Sequence, residues 1–120
     1  MYIPTDNRTR AEIDLSAVKH NYEVIKSHAK APVCCTIKAD GYGHGSVKLG
    51  KLYESLGVTR FAVSSVYEAD ERREGGREKP ILILGYTPYE CAKILADENI
   101  SQCVYSLDQA KKLSAAAVSM

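Results

Sequence analysis

An α/β fold on a parallel sheet is predicted by three features of the sequence. Short apolar runs alternate with amphipathic stretches of helical period, strand then helix, from "VCCTIK" to the C-terminus. The turns between them carry pairs at capping-box spacing, Ser65 with Glu68, Thr87 with Glu90 and Ser106 with Gln109. The runs "VCCTIK" and "ILILG" also lack the polar alternation of a strand with one wet face, so they read as strands covered on both sides.

Each element follows from local chemistry. In "LSAVKHNYEVIKSHA", Val18, Tyr22, Ile25 and Ala29 fall on one helical face, and Ser16 is the expected N-cap. Pro32 interrupts the pattern, and "VCCTIK" forms the first strand, with Lys38 as its last residue. After the segment "KADGYGHG", "SVKLGKLYESLG" resumes helical spacing through Leu49, Leu52, Tyr53 and Leu56, and Gly57 stands where a helix end requires positive φ. "RFAVS" is the second strand; its helix starts at the Ser65–Glu68 box and stops at Gly75 and Gly76. "ILILG" is the third, followed by Thr87, Pro88 at the first helical position, Glu90, and the helix "YECAKILADEN" with Cys91, Ile94 and Leu95 inward. "QCVY" is the fourth strand, and Ser106 with Gln109 opens the helix "LDQAKKLSAAAV".

Two architectures repeat such a unit: an open doubly wound sheet, and a closed barrel of eight units and typically about 250 residues. At 120 residues the chain suffices for the first, or for about half of the second.

Composition excludes several classes. The chain is 45% hydrophobic and 26% charged with a formal charge of +1, and its charges are intermixed, so nothing suggests a nucleic-acid surface. The apolar runs are too short to span a membrane, and the polar start has no secretory h-region, so a cytoplasmic location with no membrane partner is expected. Cys34, Cys35, Cys91 and Cys103 form no CxxC and have no His pair; reduced, buried thiols and no metal site are expected.

Both architectures gather ligands at the strand ends that feed the helices, which is where Lys38 falls. A lysine there is ordinarily a solvated charge, but Gly41, Gly43 and Gly45 bring flexible backbone to the same place, at an entropic cost that a plain turn avoids. Their spacing is G-x-G-x-G, not the G-x-G-x-x-G of a dinucleotide loop, and Ser46 stands where a phosphate-binding Walker loop needs lysine. A lysine in a partly desolvated barrel mouth does fit: burial disfavours its ammonium form, and the free amine can carry an aldehyde cofactor as a Schiff base.

"KADGYGHG", "AEIDLSAVKHN", "RFAVSSVYEA" and "PILILGY" together resemble the N-terminal half of alanine racemase, a pyridoxal 5′-phosphate enzyme. The resemblance runs from about Arg10 to the end. It implies a TIM-type (β/α) barrel of which residues 1–120 supply about the first four βα units, with the other half-barrel and a β domain absent. It implies that Lys38 forms the Schiff base and acts as one of two acid/base groups at the substrate Cα, that Tyr42 hydrogen-bonds the cofactor phosphate, and that Leu84 lines the cofactor pocket. The family's second acid/base group, a tyrosine from the partner subunit's β domain, and the arginine facing the pyridine nitrogen lie outside these residues. The implied activity is interconversion of L- and D-alanine for cell-wall peptidoglycan, by a homodimer acting on a small amino acid.

Gly41 stands where the family more usually has alanine. Serine or broad-specificity racemisation is the near alternative, the polar lead "IPTDNRTR" then reading as a linker from an upstream domain. A non-catalytic pyridoxal-phosphate-binding protein of the same fold, or an inert truncated product, are the more distant ones. An isolated half-barrel leaves open edges and bare apolar faces, so weak folding and little turnover are expected of it alone. His44 is expected to organise the loop, and His20 and His28 to be surface or helix-contact residues. Tyr67, Tyr86, Tyr89 and Tyr105 are expected to bury their rings and wet their hydroxyls.

Overall fold

The computed structural model describes residues 10–74 and 78–120. The polar lead up to Thr9 and the helix stop expected at Gly75 and Gly76 lie outside them. The elements in order are α1 (Leu15–His28), β1 (Cys34–Thr36), a single turn α2 (Lys38–Tyr42), α3 (Ser46–Ser55), β2 (Arg60–Val63), α4 (Val66–Glu74), β3 (Ile81–Ile83), a 3₁₀ turn (Tyr89–Cys91), α5 (Ala92–Asp97), β4 (Ile100–Gln102) and α6 (Leu107–Val118).

Strand order decides between the two architectures. The four strands pair in parallel in the order β1-β2-β3-β4, with Thr36 beside Ala62, Ala62 beside Leu82 and Leu82 beside Ser101. A doubly wound sheet reverses direction at a switch point and so acquires helices on both faces. Right-handed crossovers that always step the same way keep their helices on one face and curl the sheet toward closure, which is the arrangement of a barrel.

The core lies on that helical face. Cys35, Ile37, Phe61, Val63, Ile81, Ile83 and Ile100 form one buried cluster with Tyr22, Val58, Val66, Ala69 and Leu95. Strand period places Thr36, Leu82 and Ser101 on the opposite face, where Leu82 is half-buried and Ser101 exposed. The expectation that "VCCTIK" and "ILILG" are covered on both faces is therefore met on one face only among the described residues; their unbroken apolar pattern provides for a second layer. Cys34 lies exposed at β1, contrary to the expectation of four buried thiols, whereas Cys35 is buried and Cys91 and Cys103 are intermediate.

Several local expectations shift by a residue or two. Asp14, not Ser16, caps α1: its carboxylate accepts the N–H groups of Ser16 at 2.8 Å and Ala17 at 3.2 Å. Tyr22 alone on that helix is buried, its ring 5.9 Å from that of Tyr53, while Ile25 is 58% exposed. The Thr87–Glu90 box does not form, because Pro88 takes an extended ψ of 143° and serves as the cap of a 3₁₀ turn; Thr87 Oγ1 is buried with no hydrogen-bond partner among the described residues. Ile94 is 42% exposed, and Ala92 with Leu95 makes the inward face of α5. The fourth strand begins at Ile100, two residues before "QCVY", because Ile100 fills the core beside Ile81; Val104 and Tyr105 pass into the following loop. The Ser106 cap forms as expected, its hydroxyl accepting the Gln109 N–H at 3.1 Å, and Gln109 reaches back to the Tyr105 N–H at 2.8 Å.

The ends of β2 and β3 touch at Gly85. Its N–H donates to the Ser64 carbonyl at 3.1 Å, and an added Cβ would lie 2.2 Å from that oxygen. At Gly57, with φ of 90°, nothing lies within 4 Å of an added Cβ. In urea titrations, Gly85→Ala is expected to cost about 3 kcal/mol or more, because two backbones must separate. Gly57→Ala is expected to cost only about 1–2 kcal/mol, the left-handed penalty; the reverse order would show that β2 and β3 are not apposed this way. Asp14→Ala is expected to cost about 1 kcal/mol in the same assay, and Ser16→Ala under about 0.5 kcal/mol.

Candidate active site

The C-terminal ends of the strands make a rim. The hydrogen-bond ladder continues past the strands through Ile37 N–H to Ala62 O at 2.9 Å, Leu84 N–H to Val63 O at 2.8 Å, and Cys103 N–H to Ile83 O at 2.9 Å. Val63 and Ile83 are the last buried residues of β2 and β3, and Ile37 is buried just past β1. Ser64 and Leu84, one position further on, share the rim and by strand period the side of the sheet away from the core, and Lys38 follows Ile37 at the same rim. Lys38 is half-buried and starts the turn rather than ending the strand, since Ile37 has already left extended geometry with ψ of 19°.

Three of the residues in that turn are left-handed without being glycine. Ala39, Asp40 and Tyr42 have φ of 49°, 52° and 58°, and Gly41 and Gly43 continue the run at 64° and 79°. Each non-glycine residue in this conformation costs about 1–2 kcal/mol. Bonds from Gly41 N–H to Ile37 O at 2.9 Å and from Gly43 N–H to Ala39 O at 3.0 Å close the turn as a left-handed helix. Gly41 suits its position twice over: its φ is positive, and an added Cβ would press to 2.8 Å from Leu49 Cδ1. Glycine at position 41 thus avoids strain that a side chain would bring.

Carboxylates hold both ends of the turn. Asp40 Oδ1 accepts the Ser46 N–H at 2.7 Å, capping α3 where its N-cap residue, Gly45, has no side chain to do so. Glu68 Oε1 accepts the Ala39 N–H at 2.9 Å; Oε2 accepts the Ser64 N–H at 2.7 Å and the Ser64 hydroxyl at 2.8 Å. The Ser65–Glu68 box is therefore only half formed: the Ser65 hydroxyl accepts the Glu68 N–H at 3.4 Å, but the Glu68 side chain turns to the neighbouring strand ends. Burial, the largest single influence, pushes the Glu68 carboxyl up. The hydrogen bonds from Ser64 and Ala39 and the charge of Lys38 together outweigh it and hold the carboxyl below its ordinary value.

Of the expected site residues, Lys38 and Tyr42 are brought together: the Lys38 ammonium lies 5.8 Å from the centroid of the Tyr42 ring. Leu84 stands across β2 from them and is 37% exposed; its carbonyl accepts the Tyr105 hydroxyl. Tyr42 also lines a groove of about 580 Å³ beside β1, together with Tyr22, Val33, Cys34, Thr36 and His44; Lys38 is outside it. His44 Nδ1 lies 3.0 Å from the Tyr42 carbonyl, a contact within the loop. The rings of Tyr67, Tyr86, Tyr89 and Tyr105 are exposed rather than buried, because they crowd the rim, where no second layer of side chains lies above them among the described residues. Burial pushes the Cys35 thiol up to about 11, with Cys34 adding to it, and also raises Cys34 despite the charge of Arg60, so neither is a ready nucleophile. Among the described residues no three His, Cys, Asp or Glu groups could hold a metal ion, and no helix is long and apolar enough to cross a membrane.

The sequence reading missed Glu68, Ser64 and Asp40 as parts of the site. Asp40 lies inside the motif itself, and the only sign of its role was a helix beginning with no capping side chain at Gly45. Glu68 was legible as a capping residue, but not as a bridge between strands.

This geometry has close counterparts. A curated alanine racemase of Desulfovibrio desulfuricans is 45% identical over 114 residues, which is 93% of this chain and 31% of the relative. A solved alanine racemase of Clostridium difficile 630 superposes with a TM-score of 0.78 at 39% identity, over 88% of this chain and 28% of that one. A histidine racemase of Leuconostoc mesenteroides superposes with a TM-score of 0.80 at 30% identity, over 87% of this chain and 28% of its own. The chain thus spans between 28% and 31% of the length of these relatives. Residues 13–120 match the family described as alanine racemase, N-terminal domain, and with a match of that extent the chain belongs to this family.

Proposed function

We propose that these residues are the first part of the barrel of a pyridoxal-phosphate-dependent alanine racemase, with Lys38 as the residue that carries the cofactor. The observation behind this reading is a half-buried lysine at the C-terminal end of β1, in a sequentially ordered parallel sheet that matches racemases along nearly its whole length. The residues present suit the group. Lys38 offers a primary amine to an aldehyde, the hydroxyl of the exposed Tyr42 is free to meet a phosphate oxygen, and Leu84 offers an apolar wall. At Gly43 and Gly45 nothing among the described residues lies within 4 Å of an added Cβ, so the loop leaves room for a ligand beside the backbone.

When bound, pyridoxal phosphate supplies an electron sink that acidifies the Cα–H of an attached amino acid. The protein's part is proton handling and geometry. Lys38 Nζ takes or returns the proton on one face of Cα, the one serving the D-isomer. The left-handed turn, tied down through Asp40 and Glu68, keeps that amine from wandering. The group acting on the opposite face, in a homodimer a tyrosine of the partner subunit, lies outside this chain. The half-covered side of the sheet, with Leu82 and Leu84 on it, is where the remaining barrel strands would close. On this reading the enzyme supplies D-alanine for peptidoglycan in the cytoplasm. The histidine racemase neighbour gives weight to a second reading, in which the same lysine serves a wider set of amino acids.

In the full-length polypeptide carrying these residues, borohydride reduction in the presence of pyridoxal phosphate is expected to fix the cofactor on Lys38, read by peptide mass mapping. Lys38→Arg should lose the label. A label on another lysine, or none, would overturn the assignment. Exchange of the Cα proton measured with alanine, serine and histidine separates the substrate readings, and bound cofactor without exchange on any of them would favour a carrier.

A further inference from the structure

We infer that Glu68 is a positioning residue for Lys38: its carboxylate ties the backbone beside Lys38 to the end of β2 and holds the left-handed turn in place. The inference rests on the reading of Lys38 as the cofactor lysine and adds to it the group that sets that lysine's geometry.

One side chain on α4 accepts three hydrogen bonds from two different strand ends. Ala39 N–H donates to Oε1, while the N–H and hydroxyl of Ser64 donate to Oε2, at 2.9, 2.7 and 2.8 Å respectively. Ala39 is the residue next to Lys38 and the first to enter the left-handed region. Both oxygens of Glu68 thus face amide N–H groups, which can only donate. A glutamine must place its own NH₂ against one of those two amides, donor against donor, although its size is the same. An aspartate is one methylene too short to reach both strands. The arrangement therefore needs an ionised carboxylate of glutamate length, and the hydrogen bonds that lower the Glu68 carboxyl are the same ones that hold the turn.

The surroundings bear on the charge state. Lys38 favours the ionised form. Asp40 and Lys51 line the adjoining cleft of about 550 Å³ from the loop and α3, and Glu71 and Arg72 line it from α4 itself. Acid therefore removes the tether: a carboxyl held low in the folded state stabilises the turn above its unfolded value, and that stabilisation is lost as pH falls through the folded one.

The test is amide hydrogen exchange on the cofactor-free full-length protein, resolved to peptides and corrected for intrinsic rates. Glu68→Gln is expected to speed exchange across residues 39–43 by about tenfold, the effect of losing a hydrogen bond to a charged acceptor, with residues 81–83 unchanged. Glu71→Gln, on the same helix and cleft, should change neither segment. In the unsubstituted protein, lowering the pH through the carboxylate range should open residues 39–43 before residues 81–83, and Glu68→Gln should lose that step. Pyridoxal phosphate binding, followed by absorbance, should weaken by about tenfold in Glu68→Gln for the same reason. Unchanged exchange and affinity in Glu68→Gln, with borohydride still labelling Lys38, would overturn this inference alone. Loss of the Lys38 label in the unsubstituted protein would instead overturn the cofactor assignment. Equal loss of protection in both segments at neutral pH would reduce Glu68 to a general stabiliser and also overturn the inference.

Discussion

The packing of Ile37, Val63 and Ile83 against the helices is the constraint from which the site follows. A strand alternates its side chains with a period of two, so burying Val63 and Ile83 sends the next residue of β2 and β3 to the other side of the sheet, while the burial of Ile37 anchors the start of the turn. Ser64 and Leu84 occupy those positions, while past Ile37 the chain leaves extended geometry and Lys38 opens the turn. A slip of one residue in the register of β2 or β3 would exchange core and rim, at the cost of exposing an isoleucine or valine. The hydrophobic energy of the core thus fixes where the turn that carries Lys38 begins.

Strain is then concentrated beside that lysine. A turn with Ala39, Asp40 and Tyr42 in left-handed geometry would not persist in an isolated peptide, and it is held by contacts from outside itself. Asp40 links it to α3 and Glu68 links it to β2, each by a carboxylate on a backbone N–H. Charge-assisted bonds of this kind are stronger than neutral ones, which is how a short loop is kept in a costly conformation. The glycines remove side-chain bulk and strain at the positions where neither carboxylate reaches.

The sequence made the repeat legible because helices and strands carry their own periods and punctuation. The extents of α3 and α6, the apolar content of β2 and β3, and the cap at Ser106 all rest on contacts between residues close in the chain. Errors arose where a residue had two possible partners. Ser16 and Asp14 both fit the start of α1, and the longer acidic side chain reaches the free N–H groups. The spacing of Ser65 and Glu68 matched a capping box, yet the Glu68 carboxylate found stronger donors at Ser64 and Ala39. Val104 and Tyr105 suit a strand as well as Ile100 does, and only the pairing with β3 favours the earlier start.

By itself the sequence determined the parallel α/β class, the place of Lys38 close to a strand end, though not that it opens the turn, and the glycine-rich loop after it, because period, capping and backbone freedom are properties of neighbouring residues. Only the tertiary structure decided that the strands run in the order one to four, that the turn is left-handed, and that Glu68, 29 residues beyond Ala39, holds it. Strand order and cross-strand hydrogen bonds join residues distant in the chain, and the free energy that selects them comes from contacts that exist only once the sheet has formed.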